Sequence, residues 1–439
     1  MRTRLTGWGR TAGSVAELVR PTNEAAVADL LGGPRAVIAR GLGRSYGDAA
    51  QVGGGLVVDN RGFDAISPIG ADGVVTVGTG VSIDELLAVS IPLGWFVPVT
   101  PGTRQVTIGG AVAADVHGKN HHIDGSFAVH VRAMRLVTPS GVHALSRTSE
   151  PALFWATFGA MGLTGVVSEV TLELLAIESD RVLVDTDRFD DLDAVMAAMV
   201  EGDERYRYSV AWVDCAARGR RTGRSILTRG DHAAGDGARR APRPARLAVP
   251  FTAPGGLLNP FTIAAFNELW FRRAPRHREG APESISTFFH PLDGLGNWNR
   301  LYGPRGFVQY QFAVPDAGAA TVAEAIHRLA QSRAPSFLAV LKRFGAANPA
   351  PLSFPQPGWT LALDLPVGSA ALAPLLDELD ELVVAAGGRV YLAKDARLAP
   401  ETARAMYPRL AEFAALADTI DPERRLTSDL ARRLHLREG

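Results

Sequence analysis

The stretch PGTRQVTIGGAVAADVHGKNHH, residues 101 to 122, decides the fold. Its middle, residues 107 to 114, is almost free of bulky or charged side chains, so a ligand or another segment of the chain can approach the backbone closely. Such a run can present bare backbone N–H groups to an anion. Titratable side chains follow at once, from Asp115 to His122. The stretch predicts a cofactor cradle that leads into a reaction site, with a helix packed through Gly and Ala as the alternative.

A second glycine-rich stretch, residues 40 to 48, lies upstream and has the sequence RGLGRSYGD. It follows a short apolar run, Ala36 to Ala39, that predicts a strand. A strand, a glycine turn and then Ser and Asp are typical of a loop that binds pyrophosphate. The spacing is neither G-x-G-x-x-G after a first strand nor G-x-x-x-x-G-K-[ST], which argues against Rossmann and P-loop assignments.

Composition places the chain among globular proteins of two or three domains. Of its 439 residues, 46% are hydrophobic and 21% are charged,. The net charge is zero, which argues against a nucleic-acid partner because phosphate backbones normally require a basic surface. A single cysteine, Cys215, excludes an internal disulfide and a multi-cysteine metal site, and we expect no metal,.

The expected location is cytoplasmic. The N-terminal stretch MRTRLTGWGRTAGS lacks the apolar core of a signal peptide,. No run of about 18 uncharged apolar residues occurs, so no membrane-spanning helix is expected. Peripheral contact with the inner membrane face and a periplasmic location stay open as alternatives.

Arginine greatly outnumbers lysine among the basic residues. The chain has three lysines, Lys119, Lys342 and Lys394, among 46 lysines and arginines. A drift from Lys to Arg on the surface explains the excess of arginine. The lysines that remain should be enriched where a compact ammonium or an amine with a shifted pKa is needed. We therefore predict that at least two of them face the active site.

The two glycine-rich stretches resemble the FAD-binding half of the vanillyl-alcohol oxidase superfamily. In that superfamily an RGxGxSxG loop holds the FAD diphosphate, and a PGT…T(V/I)GG segment runs along the rest of the cofactor. The segments HGKNHH (117–122), FVQYQF (307–312) and YLAKDAR (391–397) narrow the resemblance. They are similar to the family of flavin oxidase subunits of decaprenylphosphoryl-β-D-ribose 2′-epimerases. The resemblance runs from about Arg4 to Leu436 and is loosest between about 218 and 282.

The resemblance implies an α+β fold of two domains. Residues 1–178, completed by 389–439, would form the FAD-binding domain. Residues 179–388 would form a substrate-binding cap, an antiparallel sheet covered by helices. Within the cap, residues 233–262 are rich in Gly, Pro and Arg and predict a mobile loop,. It is either a lid that meets lipid, with Arg239, Arg240, Arg243 and Arg246 near anionic headgroups, or a disordered surface insertion.

Local patterns predict several elements of secondary structure. Helical spacing of apolar residues runs through 13–31 and is broken at Pro21,. Alternation predicts a hairpin from 131 to 145,. Further helices are expected at 150–158, 191–199, 319–331, 400–406 and 408–417, and a strand that ends in Lys394 is expected at 388–394,.

The family pattern also implies which residues bind the cofactor. They are Arg40, Gly41, Leu42, Gly43, Arg44, Ser45, Tyr46, Gly47, Gly102, Thr107, Ile108, Gly109, Gly110, Ala114, Asp115, Val116, His117, Val167 and Tyr391. We predict non-covalent FAD, because Cys215 lies outside these segments. The loop also has Arg44-Ser45-Tyr46-Gly47 where some relatives have a linking histidine.

Oxidation of a secondary alcohol by a flavin needs a group that takes the hydroxyl proton. Lys394 is the first candidate, because desolvation near a flavin can lower the pKa of its amine. His117, whose counterpart in the family lies beside the isoalloxazine, is the second. A surface lysine in a salt bridge and a hydrogen-bonded core histidine are the alternatives.

The remaining candidate residues would bind the substrate. Lys119 and Lys342 would hold its phosphate as point charges. Gln309 and Gln311 share one face of a strand and suit sugar hydroxyls, unless that face is a solvent-exposed polar edge. Tyr46 and Trp212 resemble aromatic pocket walls of the family.

Two positions differ from the family pattern. Ala362 stands where the mycobacterial members have a pocket cysteine, so we expect insensitivity to inhibitors that trap a thiol there. Thr360 replaces a larger polar residue, which changes the fit of the substrate.

The implied function is FAD-dependent oxidation of the 2′-hydroxyl of decaprenylphosphoryl-β-D-ribose, or another polyprenyl-phosphoryl ribose, to a ketone. In the family this is the first half of an epimerisation to the arabinose donor for cell-wall arabinan. A separate NAD(P)H-dependent reductase completes it. One alternative is a sugar-lactone or alditol oxidase on the same fold, and another is a flavin-binding scaffold without catalysis.

Overall fold

The computed structural model describes residues 1–235, 237–245, 247–332, 336 and 338–437. The strands within these ranges are β1 (Arg2–Thr6), β2 (Gly13–Val19), β3 (Val37–Arg40), β4 (Leu56–Asp59), β5 (Val74–Gly78), β6 (Trp95–Phe96), β7 (Val131–Thr138), β8 (Gly141–Ser146), β9 (Val166–Glu173), β10 (Leu175–Ala176), β11 (Arg181–Phe189), β12 (Tyr208–Val213), β13 (Ser225–His232), β14 (Leu247–Ala248), β15 (His277–Ser284), β16 (Leu295–Gly296), β17 (Phe307–Val314), β18 (Ala339–Phe344), β19 (Gly358–Pro366) and β20 (Arg389–Val390). The helices are α1 (Glu24–Gly32), α2 (Ile83–Ser90), α3 (Ile108–Ala113), α4 (His121–Asp124), α5 (Pro151–Thr157), α6 (Leu192–Gly202), α7 (Pro260–Arg273), α8 (Ile285–Phe289), α9 (Ala320–Gln331), α10 (Leu372–Ala385), α11 (Pro400–Met406), α12 (Leu410–Ile420) and α13 (Asp429–Leu434).

The N-terminal part of the chain contains two four-stranded sheets. One has the order β1-β2-β4-β3, and the other has the order β5-β9-β7-β8. The hairpin β7–β8 closes at Thr138↔Gly141, which confirms the prediction from alternation. The C-terminal segment returns to the first sheet, where the Val37 N–H donates to the Arg425 carbonyl at 2.7 Å. The chain is an α+β protein, as the sequence predicted.

The helical prediction for the first half of residues 13–31 is wrong. Residues 13–19 form β2, which pairs antiparallel with β1 and parallel with β4. The apolar spacing fits a helix, but the backbone finds hydrogen-bond partners on both sides, and long-range pairing of this kind overrides local pattern. The helix α1 begins only after Pro21, at Asn23, whose side chain accepts from the Ala26 N–H.

The second region is built on an eight-stranded antiparallel sheet. Its order is β15-β11-β13-β12-β18-β19-β17-β20. Helices α6, α9 and α10 pack against it. Tyr310 of β17 donates to Asp380 of α10 at 2.9 Å, so the helices cover the face that Tyr310 occupies. Because side chains alternate along a strand, Gln309 and Gln311 face the other side, as predicted.

The prediction of a strand over 388–394 holds for only two residues. Arg389–Val390 form β20, which pairs with β17. The chain then turns, with the Lys394 N–H donating to the Tyr391 carbonyl at 2.8 Å. β20 therefore extends the second sheet, although the sequence-based division assigned residues from 389 onward to the first domain. The turn places Lys394 just beyond the edge of that sheet.

Within the segment predicted as a mobile loop, 233–262, the described residues contact both regions, and Arg104 of the first region donates to the Arg243 carbonyl at 2.6 Å. Its short strand β14 pairs in parallel with β16, and the Ala253 N–H donates to the Arg300 carbonyl at 2.9 Å. Arg246, one of its four proposed headgroup contacts, falls outside the described residues. Among the helices of the described ranges, none has both the length and the hydrophobicity to cross a membrane.

Candidate active site

The first glycine loop, residues 40–47, is anchored by its own arginine. The Arg40 guanidinium donates to the carbonyls of Ala50 at 2.9 Å and Thr6 at 2.8 Å. Gly43 has a φ of +65°, a conformation that favours glycine,. The backbone N–H groups of residues 41 to 45 donate to no other group in the described part of the chain. A loop of unused donors is what an anionic diphosphate needs.

The second glycine stretch folds as a short helix, α3, that contacts this loop. Thr107 is its N-cap and accepts from the Gly110 N–H at 3.2 Å. A Cβ atom on Gly41 would lie 2.1 Å from Thr107 Oγ1, so the two stretches touch where Gly41 lacks a side chain. The alternative of a Gly/Ala-packed helix is therefore correct for the local structure. The contact with the first loop preserves the predicted cradle.

The polar residues after α3 divide between structural support and the site. Asp115 is fully buried, and its carboxylate accepts from the Ala128 N–H, Asn348 Nδ2 and Ser353 Oγ. Its φ is +42°, which is strained for a non-glycine residue,. Burial raises the pKa of this carboxyl group. The carboxylate of Asp115 therefore holds the turn that carries His117, and its hydrogen bonds go to the protein itself.

The strand register of the second sheet collects the site residues on one face. Gln311, Ala362, Val340 and Trp212 stand opposite one another on four neighbouring strands. A step of two residues along a strand stays on the same face. Lys342 and Thr360, which pair across β18 and β19, lie one step in one direction from this row. Gln309 and Asp364, which pair across β17 and β19, lie one step in the other direction,. Alternation along four strands thus produces one polar surface from residues far apart in sequence.

His117 lies between the glutamine and lysine side chains of this surface. Its Nε2 is 3.0 Å from Gln311 Nε2, and its Nδ1 is 3.1 Å from Lys342 Nζ. Burial and then the nearby lysine charges hold the pKa of His117 well below its usual range, so the ring is neutral,. Its ring centroid is 5.6 Å from that of Tyr391, which donates to the Ala114 carbonyl at 2.8 Å.

The directions of the hydrogen bonds assign the proton of this ring. The Thr360 hydroxyl donates to the Phe312 carbonyl at 2.8 Å, and it accepts from Gln311 Nε2 at 3.1 Å. The same amide nitrogen donates to Nε2 of His117, which must be the acceptor nitrogen. The proton of the neutral ring then sits on Nδ1 and faces the Lys342 nitrogen, which can accept it in the fraction of molecules whose amine is neutral,. The pKa of Lys342 agrees, because burial lowers it to about 7.

Lys394 lies over an aromatic ring and beside a buried carboxylate. Its ammonium is 4.0 Å from the centroid of Tyr46, whose hydroxyl accepts from Gln309 Nε2 at 3.1 Å. Gln309 also donates to Asp364, which accepts a second bond from the Tyr302 hydroxyl at 3.2 Å. Burial raises the pKa of Asp364 to about 6. Burial lowers that of Lys394 to about 8, and the Asp364 charge offsets part of that effect.

Lys119 approaches the same region from another direction. Its ammonium donates to the Phe288 carbonyl and lies 4.4 Å from the centroid of the Phe288 ring. Burial lowers its pKa to about 8. The charges of Lys119 and Lys394 both depress the pKa of Lys342, so the three amines lie within electrostatic reach of one another. The structure thus places all three lysines in one region, whereas the sequence predicted at least two of them at the active site.

The other predicted residues lie around this centre at different depths. Trp212 shares the sheet face with Lys342. Gly102 is exposed, and a Cβ atom added there would meet no other atom within 4 Å. Val167 lies behind α3, where its carbonyl accepts from Asn60 Nδ2 and Thr79 Oγ1. The Arg44 guanidinium lies 3.9 Å from the Trp8 ring, and its buried Nε has no hydrogen-bond partner among the described residues.

Sequence reasoning missed three residues of the centre. Asp364 lies two positions beyond Ala362 on β19, so strand alternation could have placed it on the site face. Tyr302 and His290 lie outside every motif and reach the centre only through the fold. Both ring nitrogens of His290 are buried without a partner in the described ranges, and the charges of Arg104 and Lys119 join burial in lowering its pKa.

The residues present fit FAD. The unused N–H groups of the first loop, the orphaned Arg44 Nε and the side-chain-free contact at Gly41 suit a bound dinucleotide. No cluster of three or more His, Cys, Asp or Glu side chains that could hold a metal ion occurs in the described parts of the chain. Cys215 is buried, and burial raises the pKa of its thiol.

Comparisons with known proteins relate the chain to FAD-binding oxidases. A family model described as an FAD binding domain matches residues 15–145. The chain is 42% identical to the decaprenylphosphoryl-β-D-ribose oxidase of Mycolicibacterium smegmatis over 99% of its own length and 97% of that protein. It is also 42% identical to an uncharacterised protein of Streptomyces coelicolor, over 81% of this chain and all of that protein. An alditol oxidase of a Streptomyces species is 26% identical over 99% of both chains.

Proposed function

Because the chain belongs to the decaprenylphosphoryl-β-D-ribose oxidase family of FAD-linked oxidases, we propose that it oxidises the 2′-hydroxyl of decaprenylphosphoryl-β-D-ribose to a ketone. The chain is an FAD-dependent oxidoreductase. The observation that carries the substrate proposal is the group of three amines around the amide-lined sheet face. It combines a proton acceptor with cationic sites for a phosphate.

FAD, when bound, accepts two electrons and the carbinol hydrogen of the alcohol. We assign its diphosphate to the N–H groups of residues 41–45 and to Arg44, and the rest of the cofactor to the N-terminal turn of α3. We expect the binding to be non-covalent, because the loop at Arg44–Gly47 offers no histidine or cysteine for a linkage.

The Lys394 amine takes the proton of the 2′-hydroxyl in this proposal. Its pKa of about 8 makes a substantial fraction neutral near physiological pH, which a general base requires,. The negative charge of Asp364 raises the pKa of Lys394 and so offsets part of the lowering by burial. Gln309 and Tyr302 hold the Asp364 carboxylate by hydrogen bonds. Tyr46 supports the amine through its ring,.

The other amines and amides bind the sugar phosphate. Lys119 and Lys342 are the proposed partners of the phosphate, and Gln309 and Gln311 those of the sugar hydroxyls. An anion beside Lys342 favours its ammonium form, so phosphate binding takes up a proton there. The ammonium can no longer accept from Nδ1 of His117, and the imidazole then reorganises its hydrogen bonds as the substrate enters.

The product ketone requires a second enzyme. We propose that an NAD(P)H-dependent reductase subunit receives it and completes the epimerisation to the arabinose donor for arabinan. A substrate with a polyprenyl chain resides in a membrane, so we also propose that the protein associates peripherally with a bilayer. The favoured side is the cytoplasmic one.

One competing function has support. The alditol oxidase that aligns over the whole chain acts, by its name, on an alditol. The phosphate-binding lysines favour the phosphorylated substrate, because an uncharged polyol gains little from three amines in one pocket.

Anaerobic mixing with candidate substrates tests the proposal. We expect the visible absorbance of the bound flavin to bleach with a short-chain polyprenyl-phosphoryl ribose and to persist with xylitol or a sugar lactone. Bleaching by xylitol or the lactone alone would assign the chain to the competing function. No bleaching with any substrate would support a scaffold and refute the oxidase proposal.

A further inference from the structure

The helix α7 carries an apolar face that is largely exposed to solvent. Its buried residues, Ile263, Asn267 and Phe271, follow one another at a spacing of four and form the inner face. On the opposite face Phe261 is 87% exposed and Leu269 is 68% exposed. A helix of a globular protein normally turns polar residues outward. The outward face of α7 therefore needs another explanation.

Neighbouring segments extend this apolar surface. Leu247 is 71% exposed, Phe251 is 69% exposed and Leu257 is 48% exposed, all within the segment that precedes α7. Trp270, at the edge of the inner face, is 47% exposed. Phe266, at 45% exposed, is the seventh such residue within 247–270. Large hydrophobic side chains exposed singly are normal, whereas a group of seven within 24 residues marks an interaction site.

The charge around the surface is strongly basic. Residues 237–276 contain seven arginines and one acidic residue, Glu268, although the whole chain has no net charge. Arg243, Arg273 and Arg276 are exposed, as is Arg272, which pairs with Glu268 on the same helix. Arginines at the border of an apolar face are typical of helices that lie in the interface of an anionic bilayer.

The inner face of α7 is tied to the candidate active site. Asn267 Nδ2 donates to Asp214 at 2.8 Å and to the Ser336 carbonyl, and the Ser336 hydroxyl accepts from the Asp364 N–H at 3.2 Å. At the N-terminus of α7, a cavity of about 240 Å³ is lined by Leu257, Ile263 and Tyr302. Tyr302 is the residue that donates to Asp364. The inner face of α7 is thus linked to the backbone of Asp364, and the cavity at the N-terminus of the helix borders Tyr302.

We propose that the outer face of α7, with Leu247 and Phe251, docks on the surface of an anionic lipid bilayer. The aromatic and leucine side chains enter the region between headgroups and acyl chains, and the arginines contact lipid phosphates. The role of this docking rests on the proposed function, because it would bring the pocket to a substrate held in the membrane. The position of the docking surface rests on the exposed side chains and the arginines.

Vesicle flotation of the FAD-loaded enzyme tests this proposal. We expect the protein to float with vesicles of phosphatidylglycerol and phosphatidylcholine, and much less with phosphatidylcholine alone. The double variant Phe261→Ser/Leu269→Ser should lower partitioning at least about tenfold. The matched control is Val142→Ser/Val200→Ser, which removes apolar side chains exposed to 45% and 52% elsewhere. It should bind as the unaltered protein does.

Activity and oligomeric state separate the other outcomes. Bleaching of the flavin by a water-soluble short-chain substrate should be unchanged in Phe261→Ser/Leu269→Ser, so failure of docking and failure of the oxidase proposal are distinguishable. Absent flotation, or flotation equal in both double variants, would overturn the inference. A second result would also overturn it. If the unaltered protein sedimented as a dimer, Phe261→Ser/Leu269→Ser sedimented as a monomer, and vesicles bound neither of them, the face would be assigned to contact with a second copy of the chain.

Discussion

Replacing Lys394 by methionine should slow flavin reduction by polyprenyl-phosphoryl ribose about 10³-fold. Methionine keeps most of the volume but removes the amine that takes the hydroxyl proton. The pocket retains Lys119 and Lys342, so the substrate should still bind. Anaerobic stopped-flow mixing separates the two effects, because the limiting reduction rate should fall while the half-saturating substrate concentration changes little. A rate within a few-fold of the unaltered enzyme would exclude Lys394 as the base.

The pH dependence of the same reaction gives an independent signature of Lys394. The amine must be neutral to act, so the limiting reduction rate at saturating substrate should rise about tenfold per pH unit below pH 8 and level off above it,. The Asp364 carboxylate raises the pKa of Lys394, so Asp364→Asn should lower it and move the rising limb to lower pH. Lys394→Met should lack this limb. A limb that stays in place in Asp364→Asn would contradict the proposed coupling.

Substitution of Gly41 by alanine should weaken FAD binding about tenfold or more. The new Cβ would lie 2.1 Å from Thr107 Oγ1, so the first glycine loop and the N-terminus of α3 must separate. The proposed cradle spans both, and its donors would lose their common geometry. Flavin retained after gel filtration, and the dissociation constant measured by titration of the apoprotein, report the change.

Two companion variants control for general damage. Gly32→Ala adds the same methyl group at an exposed position of α1, where nothing lies within 4 Å, and should bind FAD normally. Thr107→Ala combined with Gly41→Ala removes the nearest clashing atoms and should restore part of the binding. If Gly41→Ala retained full affinity with an intact circular dichroism spectrum, the cradle would have to lie elsewhere.

Short-range patterns predicted the parts of the structure that depend on local chemistry. The small residues predicted close approach of another segment, and Gly41 and Gly109 lie against Thr107 and Thr79,. The β7–β8 hairpin and the common face of Gln309 and Gln311 follow from a period of two. The family resemblance, carried by the same motifs, supplied the cofactor and the function.

Features that depend on distant partners escaped prediction. β2 is a strand because β1 and β4 flank it, and nothing within residues 13–19 reports those neighbours. Lys394 ends a turn rather than a strand, since β17 pairs with only two residues of β20. Tyr302 and His290 join the centre through packing of segments that carry no motif. The tautomer of His117, with its proton facing Lys342, emerges only from the directions of hydrogen bonds among residues far apart in sequence.

The central claim is that this site removes the hydrogen from C2′ of a polyprenyl-phosphoryl ribose. The most direct test compares anaerobic flavin reduction by the ordinary substrate and by one with deuterium at C2′. We predict a severalfold slower reduction with the deuterated compound and a 2′-ketone as the product in mass spectrometry. Equal rates with a product oxidised at another carbon, or no reduction at all, would contradict the account.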